Sequence, residues 1–141
     1  MSTIPQPPLL VIRERQSFWV DQRPVNEWTA TVQAFGEGCF KDVVCYDAAG
    51  GLWPIFNATL AEHRSPYERL FPWKQTPIDL HFGPRSQVSL KEVVSKLVVV
   101  LTGESEFIDV LVMSPTKIID QLENADGPMD IICIARECVK E

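Results

Sequence analysis

Ser89-Leu90-Lys91-Glu92-Val93-Val94-Ser95-Lys96-Leu97-Val98-Val99-Val100-Leu101-Thr102-Gly103 is the stretch whose reading decides the fold. Ser89 and Glu92 stand as a capping box, a spacing that lets a serine oxygen accept from a free backbone N–H three residues on. Leu90, Val93, Val94, Leu97, Val98 and Leu101 recur at i, i+3, i+4, i+7, i+8 and i+11, which is one stripe of an amphipathic helix. Gly103 is its natural stop. The β-branched valines each lower intrinsic helicity by a few tenths of a kcal/mol. Burying the stripe contributes roughly 1.5–3 kcal/mol per large side chain, so packing wins and the helix needs a core to lie on.

Downstream, Phe107 to Met113 reads as a buried strand, and Ser114-Pro115 opens a second helix whose Ile118, Ile119 and Leu122 face inward. Gly127-Pro128 stops that helix, and Asp130 to Val139 reads as a final strand. Upstream, Ile78 to Phe82 is a short strand ended by Gly83-Pro84. Strand, helix, strand, helix, strand from residue 78 onward favours right-handed crossovers and partly parallel pairing.

The first half carries hairpin signals. Leu9 to Val20 is a strand candidate with Leu10, Ile12, Phe18 and Val20 on one face, interrupted by Glu14 and Gln16. Trp28 to Phe35 alternates, with Trp28, Ala30, Val32 and Ala34 on one side and Thr29, Thr31 and Gln33 on the other, the pattern of a half-buried antiparallel strand. Phe40 to Tyr46 and Leu52 to Leu60 bracket Asp47-Ala48-Ala49-Gly50-Gly51, where aspartate caps a turn and glycine supplies positive φ. Pro54 removes a ladder donor, which predicts an edge position for the second arm. Ser65-Pro66-Tyr67-Glu68 opens a short helix that Pro72 ends. The expected fold class is α+β: a single mixed sheet, antiparallel in its N-terminal half, with helices mainly on one face. Residues 1–8, with prolines at 5, 7 and 8, read as a flexible arm, and residues 9–141 as a single domain.

Size and composition fit that reading. A chain of 141 residues can bury roughly 70% of the surface it exposes when unfolded. Apolar runs end at five residues, as in Leu97 to Leu101, against the roughly 20 that a membrane span needs. The N-terminus has no signal-peptide pattern, so a cytoplasmic, soluble protein with no membrane partner is expected. Net charge is −6. Such a surface repels phosphate backbones, and no basic stripe offsets it, so nucleic acid is not the expected partner. Cys39 and Cys45 are six apart and Cys133 and Cys138 five apart, neither a C-x-x-C, so reduced thiols are expected, buried at Cys45 and Cys133, with no metal site.

The residue types of catalysis are sparse. Asp79 and His81 sit two apart on one strand face, where a carboxylate can orient an imidazole as general base, with Cys39 or Cys45 as a distant nucleophile. Two polar residues on the wet face of a half-buried strand give the same pattern. His63 lies in a polar connecting segment. No phosphate-binding, dinucleotide-binding or zinc-protease motif occurs, and no cofactor is expected. Leu70-Phe71-Pro72-Trp73, with Tyr67 before it, places large apolar groups in an irregular segment. Tyr67, Phe71 and Trp73 there are candidate binding residues, since aromatic anchors of this kind dominate protein interfaces. The function these features favour is a small acidic binding protein without enzymatic activity, of the immunity, inhibitor or adaptor type, whose protein partner carries basic or apolar surface. A small enzyme or ligand-binding domain with a pocket near Asp79 and His81 is the alternative. Self-association through the Pro54 strand or the 130–139 strand is a third possibility.

Overall fold

Leu9-Leu10-Val11-Ile12 is a run of four apolar residues with no exposed surface at any of them, and it forms the centre of the molecule. A strand buried on both faces needs partners on both sides and a layer above and below. The computed structural model, which describes residues 4–31, 38, 40–60, 75–103 and 106–139, supplies all four.

The run is strand β1 (Leu9–Arg13). It pairs with β2 (Ser17–Asp21) on one side and β4 (Val43–Asp47) on the other. Strands β3 (Thr29–Thr31), β5 (Gly51–Leu60), β6 (Gln75–Phe82) and β7 (Ser86–Gln87) complete the sheet. Its order is β2-β1-β4-β5-β6-β3, with β7 beside β5. Three helices follow: α1 (Leu90–Thr102), α2 (Pro115–Glu123) and α3 (Pro128–Glu137). The chain is therefore an α+β protein with one sheet. Among the described residues no helix is long and apolar enough to cross a membrane.

Leu10 and Ile12 point to the helical side, where they join Phe18, Tyr46, Val93, Leu97, Ile118, Leu122, Ile131 and Ile132 in one buried cluster. Leu9 and Val11 point the other way, into a second cluster with Val25, Trp28, Ala30, Val43, Cys45, Trp53 and Ile78. This second core exists because β5 is shared. Its first residues pair with β4, and from Ile55 onward it pairs with β6. The β6–β3 half thus curls back under β1 and β4, and Trp53 meets Phe82 edge to face with ring centroids 6.2 Å apart.

The α1 reading holds. Ser89 accepts from the Glu92 N–H at 3.2 Å, and Val93, Leu97, Val100 and Leu101 are buried. Trp28, Ala30 and Ile78 are in the core, as their alternation requires; the rest of the expected strand, Val32 to Phe35, lies outside the described residues.

Other expectations are corrected. All named strand pairings are antiparallel, so among the described residues the parallel crossovers expected after residue 78 do not occur. Asp130 to Val139 is not a strand but largely helix α3. Pro128 takes its first turn, where a missing N–H costs nothing, and Ile131, Ile132, Ala135 and Cys138 turn inward with helical spacing. Phe107 to Met113 is a 3-10 turn over Glu106–Val110 and a single bridge from Leu111 to Val139. Phe107 is apolar because it packs on Phe18, with centroids 4.8 Å apart. Short apolar runs read alike in strand and helix, and these two had no neighbouring strand to pair with.

Leu9 to Val20 is a hairpin rather than one strand. Glu14 and Gln16, which interrupt the apolar face, belong to the turn, with Arg15 at φ 66°. Pro54 is not on an edge either: β5 lies between β4 and β6. The Pro54 carbonyl accepts from the Gly83 N–H at 2.8 Å, so its ring nitrogen faces the same side, where β6 has ended and β7 has not begun. No ladder donor is needed there. A Cβ on Gly83 would sit 2.9 Å from the Pro54 ring, so the approach requires glycine. The two edges named for self-association are therefore absent as edges, and the sheet ends on β2 and β3 instead. In the proline-rich arm, Pro5 is buried, and Pro7 and Pro8 line a groove with Val20 and Cys133. The short helix expected after Ser65 lies outside the described residues.

Two measurements check this core. Leu97→Ala removes a side chain from the centre of the helical interface and should cost about 2–5 kcal/mol in urea unfolding. Tyr46→Phe should leave the unfolding midpoint unchanged or raise it, because the buried Tyr46 hydroxyl has no hydrogen-bond partner among the described residues and an unsatisfied polar group is costly to bury.

Candidate functional site

Three places could carry chemistry or recognition: the acidic turn after β4, the Asp79–His81 face of β6, and the outer side of β5. Each is set by the register of the strands that hold it.

Asp47 ends β4 and starts the hairpin turn. Its Oδ1 accepts from the Ala49 N–H at 2.9 Å and the Gly51 N–H at 2.8 Å. Its Oδ2 accepts from the Trp53 indole N–H at 2.9 Å and from Arg85 Nε at 3.0 Å. The turn folds this way because Gly50 adopts φ 88° and because a Cβ at Gly51 would collide with the Arg85 guanidinium. Burial pushes the Asp47 carboxyl up, but the bonds from Arg85, Trp53, Gly51 and Ala49 outweigh it and hold the group below its ordinary 3.8. The same pairing raises Arg85. A carboxylate whose two oxygens are both saturated with donors is a poor proton acceptor, so this cluster is a structural clasp joining β4, β5 and the segment before β7.

Asp21 does similar work one strand pair away. It is mostly buried and accepts from the Arg23 backbone N–H at 2.9 Å and from the guanidinium at 3.1 and 3.2 Å. Register places Asp21 and Asp47 on either side of Leu9. Cys45 lies near this end. Burial, with a smaller contribution from Asp21, pushes its thiol up to about 12, so it stays protonated and unreactive near neutrality. Cys138 is pushed up to about 11 by burial. Cys133, expected inside, is exposed, because the helix turns it away from Ile131, Ile132 and Ala135. Cys39 lies outside the described residues.

Asp79 and His81 do share one face of β6, opposite Thr59 and Asn57. Both are exposed, and neither lines the groove beside β5. Among the described residues no thiol, carboxylate or other polar group is hydrogen-bonded to their side chains, and no group of three His, Cys, Asp or Glu side chains could hold a metal ion. Tyr67, Phe71, Trp73 and His63 lie outside the described residues.

The feature that sequence reasoning missed is Phe56. The register of β5 slips between Ile55 and Asn57, and the extra residue of this bulge re-aims the side chains around it. Ile55 and Ala58 turn toward the second core, while Phe56 is left 83% exposed. The helical layer packs over β1 and β2 and reaches β5 at Leu52. Beyond Leu52 the outer face presents Phe56, Asn57, Thr59, Asp79 and His81 to solvent. Beside Phe56 runs a groove of about 370 Å³ between β5 and the turn before β4, walled by Phe40, Lys41, Asp42, Ile55 and Ala58. The legible signal was slight: Ile55-Phe56 puts two large apolar residues in succession where strict alternation allows one to be buried.

Asp47→Asn should destabilise the fold by about 2 kcal/mol at neutral pH, the scale of a lost charged hydrogen-bond set that leaves a partly exposed arginine. Because the folded Asp47 lies below its unfolded value, its contribution is complete above about pH 5 and falls away as pH drops through 3.8 and below. Urea titrations should therefore show the gap between wild type and variant closing in acid.

Comparison of the chain with models of protein families found no match, and comparisons with curated proteins and with solved structures found none either.

Proposed function

We propose that this chain is a non-enzymatic binding protein of the immunity, inhibitor or adaptor type, and that the bulge on β5 is part of its contact surface. One observation carries the reading: Phe56 is 83% exposed, whereas the large apolar side chains described around it on the sheet, Leu52, Trp53, Ile55, Leu80 and Phe82, go to the two cores. Burying a phenylalanine is worth roughly 1.5–3 kcal/mol, and leaving one in water forgoes that gain. An aromatic side chain held on a rigid strand, with a groove beside it and polar neighbours around it, has the form of an interface anchor with its rim.

The remaining groups support the same reading. The buried carboxylates Asp21 and Asp47 are occupied by structural hydrogen bonds, and the buried thiols are held protonated. The net charge of −6 suits a basic partner and would speed its approach. Tyr67, Phe71 and Trp73, which precede β6 in the sequence, belong to the same proposal as further anchors.

A photo-crosslinking residue placed at position 56 tests the proposal in the producing cell. The expected result is a discrete covalent adduct to one protein, absent when the probe is placed at exposed Thr116 on α2. Adducts of equal yield and pattern from both positions would overturn it. With the partner in hand, Phe56→Ser should weaken binding about 30-fold or more, the range of an aromatic hot spot, while unfolding stability stays within about 0.5 kcal/mol, as for an exposed substitution. Raising salt from 50 to 500 mM should slow association several-fold if the partner is basic; an unchanged rate would remove the charge argument and leave the aromatic one.

A further inference from the structure

We draw no further inference here: the strongest candidate, the groove between β5 and the turn before β4 beside Phe56, belongs to the surface already described, and nothing in the structure shows what covers it.

Discussion

The double burial of β1 is the constraint on which the rest depends. A strand with Leu9, Leu10, Val11 and Ile12 all withdrawn from water cannot sit at an edge or on a one-sided sheet. Leu10 and Ile12 call for a helical layer, and Leu9 and Val11 call for something on the opposite face. Among the described residues that second layer is supplied by the sheet itself, which bends. Strand β5 runs from one half into the other, and β6 and β3 close the second core with Trp28, Ala30 and Ile78.

Polar demand concentrates at the other end of the shared strand, in the hairpin turn that joins β4 to β5. There, backbone donors and an indole N–H end up under cover, and a carboxylate is the group that can satisfy several at once. Asp47 does so for Ala49, Gly51, Trp53 and Arg85 together. Gly51 and Gly83 are glycines for a matching reason: the guanidinium and the Pro54 ring need the space a Cβ would fill. The acidic turn is therefore explained by architecture: its carboxylate ties the turn, the indole and the guanidinium together.

How much of this was legible follows from the kind of signal each segment carried. Clean period two at Trp28 and Ala30, and again at Ile78 and Leu80, named the strands and their inner faces. The stripe of α1 named the helix and its cap. Ile131-Ile132-Cys133-Ile134 carries no period, only a run, and a run leaves helix and strand undecided; Pro128 is the better guide, because proline after glycine can open a helix as well as close one. Phe56 was not legible because a register slip depends on how β6 pairs with β5, and pairing is a property of two segments. For the same reason Pro54 read as an edge residue. A missing donor says that one side of the strand lacks a bond, and only the partner strands tell whether that side is solvent or a gap between β6 and β7.

The two cores also differ in when they can be completed. The described strands of the sheet precede Leu90 in the chain, while the described helices that cover Leu10, Ile12 and Tyr46 lie from Leu90 onward. As the polypeptide leaves the ribosome, the curled half can close on itself first, and the opposite face of the sheet stays bare until about fifty more residues have emerged. A nascent chain with that much uncovered apolar sheet is prone to stick to other chains or to a chaperone. The helical layer therefore acts as a late lid on the folding unit, and truncation within it would leave a sticky half-molecule instead of a smaller stable one.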